Sequence, residues 1–599
     1  MSQNFMQLLQ GAAAHFQRGD FSAALEGSEA ALRVQPDHPE ALHLKALSLG
    51  RLGRLEEAVP VFDRAAAVHP QKHAVLANKG NALRAAGRLD EAVASYEAAI
   101  AAEPAFISGW ISLGLALWSA GDQASAEQIM REALARAPDD PKLLNNLGVM
   151  LENQDRSDEA AEIFSRALAK KPEMLSARIN RGAAFRKTGR VEEAIADLRS
   201  AVESAPQDAE AQYQLANALR QAGSIAEAES AYRQALSLAP LRADVHRELA
   251  RMLWEQGAGP RFLEALDSVL ARFPGAELFA LKAEMAYLAG LTDMAEIAAK
   301  QALDHDSAAA LPKRVLGLVR RHGGDRDGAV DFLAAALEDA PDDFETLHVL
   351  VETKLGRGDF EDAVRLLDRQ APPEHLQKHV ALKANAMRLT GDPDYRRYYD
   401  YDRFTRKMFI EPPPGYKDLD SFNAALAEAI LPLHRGTRQP LEQTLYGGTQ
   451  SVGRLWHEPH PAIQALKQQL LAAAERFVED LPDDPGHPFL RRKSKDLICQ
   501  GAWSVVLASG GGHVDHIHPK GWISASYYVQ VPDEVLSGEK PGFLRLGATG
   551  LAGVDLEAER WFRPEAGAVV FFPSYMWHGV EPFQSARPRI TAPFDLAPR

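Results

Sequence analysis

Eight prolines keep a fixed interval along the first half of the chain: Pro36, Pro70, Pro104, Pro138, Pro172, Pro206, Pro240 and Pro274 each stand 34 residues from the next. A period of that size, sustained this long, marks a solenoid of stacked helical units. Other slots recur with the prolines. Gly53, Gly87, Gly121, Gly189, Gly223 and Gly257 lie seventeen positions before them, where one helix must turn into the next. Ala58, Ala92, Ala126, Ala160, Ala194 and Ala228 lie twelve before, and Ala65, Ala99, Ala133, Ala167, Ala201 and Ala235 five before. Small side chains at those places let paired helices approach closely. Phe62, Tyr96, Phe164 and Tyr232, eight before, fill the larger hole.

These slots resemble the tetratricopeptide repeat, a helix-turn-helix unit of the same length, over residues 3–274. Beyond that the period drifts, yet Gly290, Ala295 and Ala302, then Gly317, Gly324 and Ala329 with Pro341, then Gly356 and Ala363 with Pro372, look like degenerate further units. Ten or eleven units over 1–375 are expected. The resemblance implies an all-α superhelix whose concave face binds a protein or peptide; a scaffold for self-association is the plainer alternative.

At 599 residues the chain is too long for one core, so a second architecture is expected. A net charge of −15 disfavours a nucleic-acid binder, which would carry a basic surface. The single cysteine, Cys499, excludes an internal disulfide framework and fits a reducing compartment. The N-terminus has no basic stretch leading into an apolar run, and no window approaches the ~20 apolar residues of a membrane span. The expectation is a cytoplasmic protein without membrane or nucleic-acid partners.

Composition changes after Asp392, where an aromatic and charged stretch precedes Pro412, Pro413, Pro414 and Gly415. A proline run cannot continue a helix, so 376–415 is expected to be a linker. Two amphipathic helices follow at about 421–434 and 461–481, flanking Gly447-Gly448-Thr449-Gln450, which is expected to shape a pocket edge and lacks the Lys-Ser/Thr ending of a phosphate loop. Short β-branched and aromatic segments at 503–508, 523–531, 543–546, 568–572 and 590–594 are strands. Together they predict, for 416–599, an α+β domain with a jelly-roll (double-stranded β-helix) core.

Within that domain His513, Asp515, His516 and His518 fall inside six residues, and His578 lies sixty beyond His518. Alternation in an extended chain places His513 and Asp515 on one side and His516 and His518 on the other, so one pair can chelate. Two histidines and a carboxylate with open positions suit a non-heme Fe(II) oxygenase, and His513, Asp515 and His578 have that composition. The rival set, His516, His518 and His578, has the spacing of cupin metal motifs, but Trp522 and Ile523 occupy the places of the cupin glutamate. Arg589, eleven residues after His578 on a predicted strand, can fork onto one carboxylate of a cosubstrate whose other end chelates the metal. Arg587 is its fallback. Ser524 and Tyr528 share a face of the neighbouring strand and could hydrogen-bond the same carboxylate. Trp522 and Trp577 are expected as walls; His434, His457, His460 and His487 as ordinary polar residues beside turns.

Gly447-Gly448-Thr449-Gln450, Trp503-Ser504-Val505, His516-Ile517-His518-Pro519, Gly521-Trp522-Ile523-Ser524, Tyr527-Tyr528-Val529, the run from Phe572 to His578, and Arg589 resemble the 2OG-Fe(II) oxygenases found behind tetratricopeptide repeats. The resemblance covers about 395–599 and favours His516, His518 and His578 as ligands, with His513 and Asp515 as the alternative pair. It implies Fe(II), 2-oxoglutarate as cosubstrate, O₂, and hydroxylation of a protein or peptide that the repeats recruit. Two other readings stay open: a non-enzymatic repeat adaptor with a structural or sensing jelly roll, and a cupin-type metalloenzyme that does not use 2-oxoglutarate.

Overall fold

The computed structural model describes residues 3–434, 444–451 and 455–599; Met1 and Ser2, part of the stretch read for a leader, lie outside them. The chain divides into two compact units, Met1–Phe185 and Arg186–Arg599.

The first unit consists of antiparallel helix pairs, beginning with Gln3–Gln17 and Phe21–Val34 and continuing at the expected period. Each pair turns through a left-handed residue: Gly19, Gly53, Gly87 and Gly121 all have φ between 74° and 86°. The slot seventeen before Pro172 holds Asp155, which takes φ 58°, the one non-glycine with positive φ among the described residues. Aspartate tolerates that region better than most side chains. The residue eight before each proline is wholly buried, and the structure shows what it meets. Sixteen positions earlier stands a small residue, in several units a glycine whose missing Cβ makes room: Gly80 under Tyr96, Gly114 under Met130, Gly148 under Phe164, where a Cβ would lie 2.7, 2.6 and 2.5 Å from the larger side chain.

In the second unit the pairs go on through Phe344–Arg357 and Phe360–Leu366 to Leu376–Thr390, with turn glycines at 189, 223, 257, 290, 324, 358 and 391 in the left-handed region. The degenerate units therefore keep the turn even where the proline slot is lost, as at Ser307 and His375. The segment expected as a linker is structured. It carries the helix Leu376–Thr390, two short helices, Tyr395–Tyr398 and Tyr401–Phe404, and a strand, β1 (Arg406–Phe409). The proline run ends that strand without unfolding what precedes it.

The remaining strands are β2 (Leu445–Gln450), β3 (Leu497–Ala502), β4 (Val505–His516), β5 (Ile523–Gln530), β6 (Leu544–Leu546), β7 (Arg560–Phe562), β8 (Ala568–Pro573), β9 (His578–Val580) and β10 (Arg589–Pro598). They form one nearly closed antiparallel sheet in the order β1-β8-β5-β10-β4-β9-β6-β7, with β2 on β4 and β3 on β10. This is the expected repeat domain followed by a jelly-roll-type domain. The helices Leu419–Ile430 and Pro461–Asp480 cover one face of the sheet: Tyr527 donates to Asn423 Oδ1 (2.7 Å), and Phe477 stacks on Phe571. A single hydrophobic core runs from Val351 in the late repeats to Ala597 in β10. No helix among the described residues is long and apolar enough to cross a membrane.

Candidate metal and cosubstrate site

The uncovered face of the sheet surrounds a cavity of about 510 Å³ whose lining includes His513, His516, His518, His578 and Arg589. That volume lies within the range of small-ligand sites. Cross-strand pairing brings the histidines together: His516 at the end of β4 stands opposite His578 at the start of β9. His518 follows two residues later, its backbone N–H held by the Ser574 carbonyl at 3.0 Å. One nitrogen from each of the three rings lies within 4.8 Å of the others.

The outer nitrogens decide where the ring protons sit. His516 Nδ1–H donates to the Val514 carbonyl (2.8 Å), His578 Nδ1–H to the Met576 carbonyl (3.0 Å), and His518 Nδ1–H to Asp595 Oδ1 (2.6 Å). All three Nε2 atoms are then lone-pair acceptors, the tautomer a metal requires. Nε2 of His516 and Nε2 of His518 face each other at 3.3 Å. Two such lone pairs repel unless a cation lies between them, and imidazoles ~2.0–2.1 Å from one ion at right angles would be ~3 Å apart. Burial, reinforced by the neighbouring imidazoles, holds His516 and His578 well below the ordinary histidine pKa, so both stay neutral. The donor set fits a divalent metal.

Alternation did not divide the cluster as expected. The β4–β9 register shifts between His513 and His516, a bulge that turns His513 into the same cavity, its ring 5.7 Å from that of His516. Its pKa falls to about 3, through burial first and then the Arg589 charge. Asp515 goes elsewhere. Its carboxylate accepts two hydrogen bonds from Arg545, at 2.8 and 2.7 Å, so the alternative pair is not assembled.

Arg589 begins β10 opposite Leu507 of β4 and is 2% exposed. Its guanidinium carbon lies 5.1 Å above the Tyr528 ring, and neither Arg589 Nε nor the Tyr528 hydroxyl has a hydrogen-bond partner in the protein. Burial lowers the arginine's pKa and raises the tyrosine's, while each group's field on the other partly offsets this. A buried cation without an anion is costly, and a carboxylate would satisfy both groups. Ser524 is not with them. Its hydroxyl donates to Asp595 Oδ1 (2.6 Å) and lies 3.0 Å from His518 Nδ1, so it belongs to the histidine end of the cavity instead of the Arg589 end. Trp522 is a wall, fully buried, its indole N–H donating to the Phe489 carbonyl at 2.8 Å.

One contributor escaped the sequence reading. Asp595 is the carboxylate behind His518, and its signal was present: one acid in the otherwise apolar stretch Pro593-Phe594-Asp595-Leu596, two alternations from Thr591 on the cavity face. Gly447–Gln450, expected at a pocket edge, belongs to strand β2, and Gln450 lines the cavity. Glycine is required there because Gly447 (φ 62°) crosses Gly511 so closely that a Cβ would fall 2.7 Å from its Cα.

Comparison with known proteins agrees with the two parts. Residues 501–595 match the family described as Putative 2OG-Fe(II) oxygenase. Residues 322–386 match a tetratricopeptide repeat, and 2–252 match the cilia and flagella-associated protein 70 C-terminal domain. No curated protein matches the chain. Among solved structures, PilW, titled a widely conserved type IV pilus biogenesis factor, is similar at 24% identity over 34% of this chain and 94% of its own, with a TM-score of 0.31. Yeast Tom70 is similar at 14% identity over 67% and 98%, with a TM-score of 0.38. The chain carries tetratricopeptide repeats and, at its C-terminus, a domain of the putative 2OG-Fe(II) oxygenase family.

Proposed function

We propose that the C-terminal domain is an Fe(II)- and 2-oxoglutarate-dependent oxygenase that hydroxylates a protein or peptide presented by the repeats. The observation that carries this is the pairing of opposite needs in one cavity: three Nε2 lone pairs without a cation at one end, a buried guanidinium without an anion at the other. A ketoacid that chelates a metal and ends in a carboxylate meets both.

In this reading His516, His518 and His578 hold the iron, and Asp595 places a negative charge behind His518 that partly offsets the absence of a carboxylate ligand. Arg589 and Tyr528 receive the distal carboxylate, and the low-polarity surroundings strengthen that pairing. Iron so held would supply O₂ activation, one oxygen atom entering succinate as 2-oxoglutarate loses CO₂ and the other entering a substrate C–H bond to give an alcohol. Phe572, in van der Waals range of the His578 ring at 4.6 Å between centroids, closes the site against water on that side.

Anaerobic titration of the full chain with Fe(II) and then 2-oxoglutarate should develop a visible metal-to-ligand charge-transfer band, and admitting air should yield succinate. A protein that gives neither is not this enzyme.

A further inference from the structure

A second cavity, of about 490 Å³, shares His516, Ile517 and Pro519 with the first and lies between the late repeats and the sheet. On the repeat side it is lined by His348 and Glu352 of the helix Phe344–Arg357 and by Lys378 of Leu376–Thr390; on the sheet side by Ile517, Leu551 and Trp577. Its walls are fastened. Arg388 donates to the carbonyls of Gly547 (2.6 Å) and Glu557 (2.8 Å), Asn385 to Thr549 Oγ1 (3.2 Å), and Gly356 lies so close to the Ala552 carbonyl that no side chain fits between them. The groove is therefore built into the fold, and it leads to a metal-site histidine.

Its chemistry is specific in what it lacks. Every carboxylate lining it is matched: Glu345 with Arg314 (2.8 Å), Glu352 with Arg321 (3.0 Å) and Lys378, Asp515 with Arg545. Burial keeps His348 neutral, its pKa near 3. The lining ammonium, Lys378, is likewise engaged, by Glu352 and the Trp577 ring. What remains is a donor. The Trp577 indole N–H, on the residue preceding His578, has no acceptor in the protein, while its ring already carries the Lys378 ammonium at 4.9 Å. An unmatched buried N–H calls for a carbonyl-type acceptor. Ile517, Pro519 and Leu551 around it offer apolar contact.

We infer that this groove is the substrate cleft of the oxygenase, and that it takes an uncharged, extended polypeptide segment, one of whose backbone carbonyls accepts from Trp577 Nε1–H. The inference rests on the proposed oxygenase function and adds the entry route and the chemical class of substrate. Recognition through main chain and apolar contact makes the repeats responsible for choosing the protein and the cleft for fixing the segment.

The test uses full-length protein with Fe(II) and 2-oxoglutarate, and a degenerate library of acetylated, amidated decapeptides, read by mass spectrometry for addition of one oxygen atom. A subset should be oxidised, with yields changing less than threefold between ~0.05 and ~0.5 M salt, since no unpaired charge is engaged. Trp577→Phe, which keeps the ring and removes the donor, and Leu551→Ala, which removes apolar lining, should each cut the yield at least tenfold while the charge-transfer titration is unchanged. Equal oxidation by the variants, or none by the parent protein while succinate still forms, overturns the cleft; stimulation of succinate by free amino acids but not peptides does the same. Absence of both band and succinate overturns the oxygenase reading itself.

Discussion

The chain gathers two trios of metal-type side chains, Glu40, His43 and His69 in the repeats and His516, His518 and His578 in the sheet, and in both the candidate atoms lie within 4.8 Å of one another. Proximity is where the likeness ends. In the repeats, His69 Nδ1 accepts the Gln71 N–H at 3.0 Å, so the ring proton sits on Nε2, which faces Glu40 at 3.2 Å. His43 Nε2 accepts from the Asn78 side chain at 3.0 Å. No imidazole lone pair is left over, and Glu40 is largely exposed. In the sheet each outer nitrogen donates outward, leaving the inner ones bare. The difference teaches that the hydrogen bonds behind an imidazole decide whether it is a ligand.

The sharpest way to break this contrast is to remove one ring from each trio. His516→Ala or His578→Ala should lower iron affinity by more than the ~10–100-fold typical of losing an outer partner, whereas His43→Ala and His69→Ala should leave iron content after desalting unchanged. An iron-free His69→Ala protein would erase the distinction. Next in size, Arg589→Ala should weaken 2-oxoglutarate by roughly 2–5 kcal/mol, about 30-fold or more in Kd, with iron binding nearly intact by calorimetry; equal loss of both would remove its anchoring role. Asp595→Asn keeps the shape but removes the charge behind His518, and ~10–100-fold weaker iron is expected.

Stability against pH probes the imidazoles kept neutral by burial. His348 resists protonation down to about 3 in the fold but takes a proton near 6.5 when unfolded. Below 6.5 the unfolded chain therefore binds more protons, and stability rises with pH between about 3 and 6.5 and is flat above. Glu352 adds to the slope with the same sign: burial alone would raise its pKa, but Lys378 and Arg321 hold it near 2, so its contribution is lost as pH falls below about 4.5. One imidazole gives at most about 1.4 kcal/mol per pH unit. Urea unfolding of His348→Phe between pH 4.5 and 6.5 should show a slope reduced by that order; an unchanged slope would mean His348 titrates normally. Smallest of all, Asp515→Ala should change iron affinity less than threefold, because its partner is Arg545.

The repeats were legible because their signal is periodic and local: spacing alone located the turns, and even the missing glycine at 155 marked its own slot. That His578 and Arg589 would share one cavity with the cluster was legible because distance along the chain and residue chemistry agreed. The bulge between His513 and His516 was not, since one extra residue in a strand leaves no compositional trace yet reverses which side chains share a face. Strand β2 was missed for a related reason. Its paired glycines are demanded by a close crossing with β4, contact that sequence cannot display, and in isolation they carry no strand signal.

One earlier detail bears on how this protein can be divided. β1 lies between the last repeat helix and the oxygenase match, and it pairs Arg406–Phe409 along Phe571–Ala568 at the margin of the sheet. A fragment starting at 416 would leave β8, all of whose residues are buried, with bare amides and carbonyls along one side, the state in which strands recruit other chains. Fragments beginning before residue 344, which keep both this strand and the core shared with the late repeats, should stay monodisperse where shorter ones precipitate. Any exchange of repeat arrays between relatives has to carry this strand along with the sheet it completes.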